Sequence, residues 1–360
     1  MTDARFMRRA LFHASRGAGV TTPNPLVGAV IVSPDGIVVG QGHHPRAGEP
    51  HAEVFALEGA AARARGATMF VTLEPCCHSG RTGPCTKRII AAGIRKVVAA
   101  MRDPNPLVSG QGFDELRAHG IEVEVGLLEA EAARLNRAFT IVQTEGRPMV
   151  IAKVARSLDG RIAAAPGERT PLTSSEANRR TQRLRAGVDA IGVGSGTLLS
   201  DDPVLTVRDC YRRRALARVV FDRRLRTPAK ARVFAAISDG PVIIVTTTST
   251  ARRYPERVEA LIAAGATILE GSGELRDDLR ALLRFDISTL LLEGGAQLHA
   301  AAWTAGVIDR VHVVTAPKTL GDAGVKVFDG IDIPTSELIA VKVDRLGPDE
   351  WMEADVHGHH

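Results

Sequence analysis

The segment HAEVFALEGAAARARGATMFVTLEPCCHSGRTGPC, residues 51–85, decides how the first third of the chain folds. Its opening, 51–66, sets Ala52, Phe55, Ala56 and Leu57 at helical spacing, which predicts a helix with one apolar side. ATMFVTLEP (67–75) then reads as a buried strand that ends in a proline, and residues 84–92 open another helix. Helix, strand and helix in succession are the beginning of an α/β domain.

The same alternation continues outward. Upstream, LVGAVIV (26–32) and IVVGQG (37–42) flank Ser33-Pro34-Asp35-Gly36, a hairpin signature. The first 17 residues alternate charge and apolar side chains like an amphipathic helix and lack the apolar centre and cleavage site of a signal peptide, so a cytoplasmic protein is expected. Downstream, KVVAAM (96–101) and IEVEVG (121–126) read as strands, and 128–145 reads as helical. At Gly146-Arg147-Pro148 the pattern stops and restarts with the strand MVIAKVA (149–155), which puts a domain boundary near 147. Further strands are expected at 188–194, 217–222, 241–247 and 288–293 with helices between them, and the chain turns strand-rich from 305 to 355. Two α/β domains result, 1–146 and 147–356, with His-Gly-His-His at 357–360 as a tail.

Composition narrows the function classes. There is no run of 18 apolar residues, so no membrane span is implied. The net charge of +5 is modest for 360 residues, and although arginines (39) far outnumber lysines (seven), no dense basic run interleaved with aromatics occurs. Nucleic acid is therefore not the expected partner. Four cysteines make no disulfide framework; three crowd into 76–85, a metal-binding or catalytic pattern in a reducing compartment, while Cys210 stands alone as a bystander.

The chemistry lies in His51-Ala52-Glu53, then Pro75-Cys76, then Cys85. One imidazole and two thiolates supply three zinc ligands and leave the fourth position open for water, the arrangement of a catalytic site. Zinc lowers the pKa of such a water toward neutrality. Glu53, two residues beyond a ligand, is placed to take the water's proton and pass it to a ring nitrogen and to leaving ammonia. The H-x-E…P-C order is that of zinc deaminases acting on bases. In those the second cysteine follows the first by three positions, whereas eight residues separate Cys76 from Cys85 here, and Cys77 and His78 compete as ligands. Cys85 is preferred because it follows Gly83-Pro84 at a helix start, where the dipole stabilises a thiolate.

Taken together, PNPLVG (23–28), GQGHHPRAGEPHAE (40–53), TLEPCCHSGRTGPC (72–85) and DPNPLVSGQG (103–112) resemble the deaminase half of the bifunctional riboflavin-biosynthesis deaminase/reductases, whose cysteine gap is also eight residues. VIAKVARSLDGRIA (150–163), 172–208 and LLLEGGAQLH (290–299) resemble the reductase half. The resemblance implies a cytidine-deaminase-like three-layer domain followed by a dihydrofolate-reductase-like domain, one zinc ion in the first and NADPH in the second. It implies deamination of a diaminopyrimidinone carrying a ribosylamino 5′-phosphate, then reduction of the ribosyl chain to ribityl, in a homo-oligomer (dimer or tetramer). Asn24, His43 and His78 would hold the deaminase substrate. Arg169, Arg185, Leu205, Arg208 and Glu293 would face the reductase substrate, with Arg185 and Arg208 suited to clamp phosphate bidentately. Ala155, Thr197, Asp201, Gly295, Ala296, Gln297, Leu298, His299, Ala300 and Ala301 would face the cofactor, and Lys153 and Asp159 would border the sugar.

Physical support for the second site comes from its glycines. Leu290–Glu293 reads as a strand delivering Gly294-Gly295 to a helix start, where backbone N–H groups receive a diphosphate. Gly192-x-Gly194-x-Gly196-Thr197 is another strand-to-loop junction, and it does not match the dinucleotide fingerprint of a standard Rossmann domain. Two departures from the family pattern, Pro171-Leu172-Thr173 in place of Trp-Ile-Thr and Arg223 in place of a serine-type residue, imply altered packing around the nicotinamide. The competing readings are a nucleic-acid base deaminase with an unrelated appended domain and a non-catalytic, zinc-stabilised nucleotide-binding protein. The first requires a basic aromatic groove, and the second four protein ligands on zinc.

Overall fold

The computed structural model describes residues 3–78, 83–106, 108–331 and 335–356; the expected tail at 357–360 lies outside them. The chain divides into two compact units, Met1–Gly146 and Arg147–His360.

In the first unit, α1 (Ala4–Ser15) precedes the hairpin β1 (Gly28–Val32) and β2 (Val38–His43), followed by α2 (Ala52–Ala60), β3 (Thr68–Val71) and α3 (Cys85–Ala91). β4 (Lys96–Ala99), α4 (Gln111–Ala118), β5 (Glu122–Val125), α5 (Glu129–Leu135) and α6 (Arg137–Glu145) complete it. The five strands form one sheet in the order β2-β1-β3-β4-β5, antiparallel across β1 and parallel from β3 to β5. Because side chains alternate along a strand, Ala29, Ile31, Met69 and Val71 pack with α2, α3 and α4 on one face. Val30, Val32 and Phe70 meet α1, α5 and α6 on the other. This is a three-layer α/β/α unit.

Two boundaries differ from the sequence expectation. The helix expected over 51–66 ends at Ala60, because Ala61 turns to φ 49° and a 3₁₀ turn over Ala61–Ala64 redirects the chain. The strand expected over 67–75 ends at Val71: the Thr72 hydroxyl accepts the Gly28 N–H, which frees residues 73–76 from the sheet. Gly42 sets α2 close against the hairpin, since a Cβ there would meet the Ala52 carbonyl oxygen at 2.5 Å. That close approach presents the start of α2, and with it His51.

The second unit opens with β6 (Met149–Ser157), β7 (Arg161–Ala163), α7 (Ser175–Ala186), β8 (Ala190–Gly194), α8 (Ser195–Asp201) and β9 (Ala217–Phe221). β10 (Val242–Thr247), α9 (Thr248–Arg253), α10 (Pro255–Ala263), β11 (Ala266–Gly271) and α11 (Leu275–Leu282) follow. The rest is β12 (Thr289–Leu292), α12 (Ala296–Thr304), β13 (Arg310–Ala316), β14 (Val325–Lys326), β15 (Leu338–Leu346) and β16 (Asp349–Val356). Nine strands form a sheet in the order β11-β10-β9-β8-β12-β6-β13-β16-β15, parallel up to β13 and antiparallel beyond it, while β7 and β14 pair separately. Just ahead of β6, the fully buried Arg147 forks onto Asp309 at 2.8 Å through both terminal nitrogens, and Asp309 also accepts the Val150 N–H. The parallel strands β8, β9, β10 and β12 all end on the same side, where α/β sheets bind ligands.

Candidate functional site

In the first unit His51 stands at the N-cap of α2, Glu53 in its first turn, Cys76 on the segment beyond β3, and Cys85 at the start of α3 after Pro84. His51 Nδ1 lies 3.5 Å from Cys76 Sγ and 3.3 Å from Cys85 Sγ, and the three ligand atoms fall within 4.8 Å of one another. Ligands tetrahedrally arranged on zinc, with Zn–S of about 2.3 Å and Zn–N of about 2.0 Å, stand about 3.6 Å apart. The donor set and its spacing therefore fit zinc. Neither Cys77 nor His78 belongs to the cluster: Cys77 Sγ faces Gln111 Oε1 at 4.0 Å, and His78 is exposed.

The electrostatics follow from close packing of ionisable groups. The Cys76 thiol is pulled down to about 4, first by its hydrogen bond with Cys85 and then, against burial, by His51. Cys85 is pushed up by the same hydrogen bond and by burial. Glu53 is 3% exposed, and burial followed by the neighbouring Cys76 raises its pKa. Its Oε2 is buried without a hydrogen-bond partner among the described residues. An unpartnered buried carboxylate oxygen is unfavourable unless something else uses it.

Two supports escaped the sequence. Glu74 accepts the N–H groups of Asp103, Gly110 and Gly112 at 2.9–3.1 Å, tying the 103–112 segment to the residue two before Cys76. Buried His44 receives Asn24 Nδ2 at 3.0 Å on Nε2, and its ring lies 5.4 Å from that of His51, edge to face. Asn24 is thus brought beside His44, whereas the expected His43 ends β2 opposite Gly28. The pairing of adjacent residues with opposite faces of a strand was the available signal.

In the second unit the expected cofactor residues gather at the ends of β8 and β12. A Cβ on Gly294 would meet the Gly194 nitrogen at 3.3 Å, so glycine permits the two strand ends to converge. Gly295 caps α12, which carries Ala296, Gln297, Leu298, His299, Ala300 and Ala301, and the Thr197 hydroxyl of α8 lies 3.2 Å from the Cβ position of Gly295. Asp201 ends α8 and Ala155 lies on β6. Within α12, His299 is buried and bonds the Leu292 carbonyl at 3.1 Å; burial pulls its pKa down to about 4.

The expected phosphate clamp Arg185 has its fork on Glu293, at 2.8 Å through Nε and 2.5 Å through Nη2, with Nη1 on the Thr206 carbonyl. Burial opposes the charge on Glu293, and Arg185 outweighs it, holding the carboxylate below its usual range. Half-buried Lys153 on β6 joins this pair electrostatically, and desolvation lowers its pKa. Leu205 is buried at φ 57°, while Arg169 and Arg208 are exposed, Arg208 giving its backbone N–H to Gln182. Asp159 turns to the Leu320 and Gly321 N–H groups instead of toward this cluster. Leu172 is buried, and Arg223 donates to the Gly273 carbonyl.

A three-layer unit with a His/Cys/Cys cluster, followed by a unit with a glycine-lined cleft at the ends of parallel strands, defines a zinc-site enzyme joined to a nucleotide-binding unit. Residues 1–101 match the cytidine and deoxycytidylate deaminase zinc-binding region, and residues 148–351 match the RibD C-terminal domain. The chain is 40% identical to the riboflavin biosynthesis protein RibD of Aquifex aeolicus, covering 96% of each, and 43% identical to that of Escherichia coli over 89% of each. A structure of Acinetobacter baumannii RibD superposes with a TM-score of 0.85 at 37% identity over 99% of both chains. A diaminohydroxyphosphoribosylaminopyrimidine deaminase/5-amino-6-(5-phosphoribosylamino)uracil reductase from Thermotoga maritima gives 0.85 at 36% over 98% of both. The chain belongs to the RibD family. It is a bifunctional deaminase/reductase of riboflavin biosynthesis, and both rival readings fall with that. No helix among the described residues is long and apolar enough to cross a membrane.

Proposed function

We propose that unit 1–146 deaminates a diaminopyrimidinone bearing a ribosylamino 5′-phosphate, and that unit 147–356 reduces the opened ribosyl chain of the product to ribityl with NADPH. The observation that carries the first step is the zinc-spaced trio of His51, Cys76 and Cys85 beside the buried, unpartnered Oε2 of Glu53. Zinc held there supplies the Lewis acidity that makes water ionisable near neutral pH. Glu53, outside the ligand set, takes the water's first proton on Oε2 and gives it to the ring nitrogen, then takes the second from the hydroxyl added to the ring carbon and gives it to the departing amine, which leaves as ammonia. Water thereby replaces the exocyclic amine with a carbonyl oxygen. Asn24, His43, His78 and, from its place beside His51, His44 orient the pyrimidine.

In the second step NADPH supplies the hydride. The chain contributes position: Gly295 and α12 seat the diphosphate on free backbone N–H groups, with Ala155, Thr197 and Asp201 alongside. Glu293, fixed by Arg185, and Lys153 border the sugar, and Arg169, Leu205 and Arg208 complete the substrate side. The α/β sheet with an antiparallel hairpin at one edge supports a dihydrofolate-reductase-like reading of this unit. The enzyme works in the cytoplasm as a homo-oligomer on small phosphorylated pyrimidines, without nucleic acid or membrane partners. The test supplies the diaminopyrimidinone phosphate to zinc-loaded protein with and without NADPH. Ammonia release in both reactions, and loss of NADPH absorbance only after it, is the expected result; NADPH oxidation without ammonia release contradicts it.

A further inference from the structure

Asn136 is 2% exposed and stands between α5 and α6, and the chemistry above makes no use of it. Its Oδ1 accepts the Leu26 N–H at 2.8 Å and its Nδ2 donates to the Leu26 carbonyl at 3.0 Å, across 110 positions of chain. A side-chain amide copies the peptide group, with an acceptor and a donor side by side, so one asparagine serves Leu26 as a neighbouring strand would. Aspartate would set a second acceptor against the Leu26 carbonyl, and an apolar residue would leave both backbone groups unpaired.

The stretch that Asn136 grips has few bonds of its own. The ladder between β1 and its neighbours begins at Gly28, so residues 24–26 lie beyond the sheet. Pro23 and Pro25 have no N–H, and the Asn24 N–H goes to the Thr21 carbonyl at 2.7 Å in a local turn. Leu26 is thus the backbone anchor of the stretch. The grip itself is fixed from both sides: the Asn136 N–H donates to the Ala132 carbonyl at 3.0 Å, and its carbonyl accepts the Thr140 N–H at 2.9 Å.

Stiff links carry the anchor toward the zinc ligands. Pro25 locks its own φ near about −65° and confines Asn24 before it to extended backbone, so fixing Leu26 also fixes Asn24. Asn24 Nδ2 then meets His44 Nε2 at 3.0 Å. The Pro50 carbonyl, 3.1 Å from His44 Nδ1, can only accept; Nδ1 therefore carries the proton and Nε2 is the acceptor for Asn24. Pro50 directly precedes His51, whose ring lies 5.4 Å from that of His44.

We infer that Asn136 is a positioning residue of the deaminase step, setting from the α5–α6 junction where the Asn24 amide stands beside His44 and His51. The inference rests on the reading of Asn24 as a pyrimidine contact. α5 and α6 pack on the face of the sheet opposite α2 and α3, so Asn136 acts through Leu26 and Asn24 and does not itself meet the ring. Its loss leaves Asn24 chemically intact but displaced, which weakens the hold on the ring more than the chemistry at zinc.

The test follows ammonia release from the diaminopyrimidinone phosphate by the zinc-loaded full chain, for wild type, N136A, N136D, N24A and N24A/N136D. Zinc content, and NADPH oxidation with the deaminated intermediate supplied, check the fold. N136D keeps the bond from the Leu26 N–H and carries the comparison if N136A does not fold. The expected result for N136D is a KM raised about fivefold or more with kcat within about threefold and zinc content unchanged, the pattern of lost ground-state binding. N24A should raise KM at least as far, and N24A/N136D should stay within about twofold of N24A, because nothing is left for Asn136 to position. A KM within about twofold of wild type in the Asn136 variants overturns the inference. So does a fall in kcat at unchanged KM, which marks a loss of folded enzyme, and so do single effects that multiply in the double variant. N24A with the KM of wild type removes the reading of Asn24 and the inference with it, whereas a KM raised in N24A alone overturns only the inference.

Discussion

Replacing Glu53 by glutamine separates proton transfer from metal binding, because the side chain keeps its shape and lies outside the His51, Cys76 and Cys85 trio. Oε2 is buried and unpartnered, so an amide nitrogen in its place loses no existing hydrogen bond, and the folding change should stay within about 2 kcal/mol. That corresponds to a shift of several degrees at most in the thermal midpoint of a unit of this size. Catalysis has more to lose. A positioned acid/base contributes about 10²–10⁴-fold, and Glu53 serves both to remove the water's proton and to deliver it. A loss near 10³, about 4 kcal/mol of barrier, is therefore expected in the rate of ammonia release. Single-turnover ammonia release should be read beside zinc content by mass spectrometry on the same sample. Turnover within tenfold of wild type, or zinc lost in step with activity, refutes the reasoning.

Three more perturbations extend the test. Cys85→Ser should abolish zinc retention and ammonia release, yet leave NADPH oxidation within about twofold when the deaminated intermediate is supplied, since Cys85 lies in the other compact unit; reductase loss of the same size contradicts independent chemistry. Glu74→Gln turns an acceptor of three backbone N–H groups into a partial donor, and a loss of about 2–3 kcal/mol in urea unfolding of the first unit is expected. An unchanged midpoint would mean the 103–112 segment is held elsewhere. His299 and His312 are both pulled to about 4, chiefly by burial, from an unfolded value near 6.5. As pH falls below about 6.5 the unfolded chain takes up protons that the folded chain refuses until about 4. Stability of the second unit should therefore decline through that window, by on the order of 3 kcal/mol per histidine. His312→Gln should flatten the decline measured by urea melts from pH 7 to 4.5, and a slope equal to wild type excludes this histidine as a cause.

How much of this was legible depended on whether the signal was local. GAVIV at β1 is buried at all five positions, so it reads as an unbroken apolar run, and the hairpin turn beside it is written in Ser33-Pro34-Asp35-Gly36. β11 at the sheet edge is buried only at Ala266 and Leu269, a spacing with no strand period, and no strand was expected there. In the deaminase unit the metal ligands share a short motif, and the folded chain brings them together. Between the adjacent His43 and His44, spacing does not say which leaves the strand: His43 pairs with Gly28 at the end of β2, and His44 lies beyond it with its ring beside that of His51. The pairing of Arg185 with Glu293 joins residues 108 positions apart, and a cavity of the second unit lined by Arg224, Arg226, Arg253 and Arg257 assembles from segments around 224 and 253. Distance along the chain hides both.

The second unit's charges also explain why exposure alone would mislead there. Buried ion pairs add little net stability, because desolvation offsets most of the attraction. Arg185, Glu293 and Lys153 are nonetheless gathered beneath the end of β12, where apolar side chains would fold as well. Under the proposed function, the charges provide a fixed polar wall that needs no reorganisation when a polar sugar and a hydride donor meet. Arg185 holds Glu293 ionised, and Glu293 in turn offsets part of the burial that lowers the Lys153 pKa.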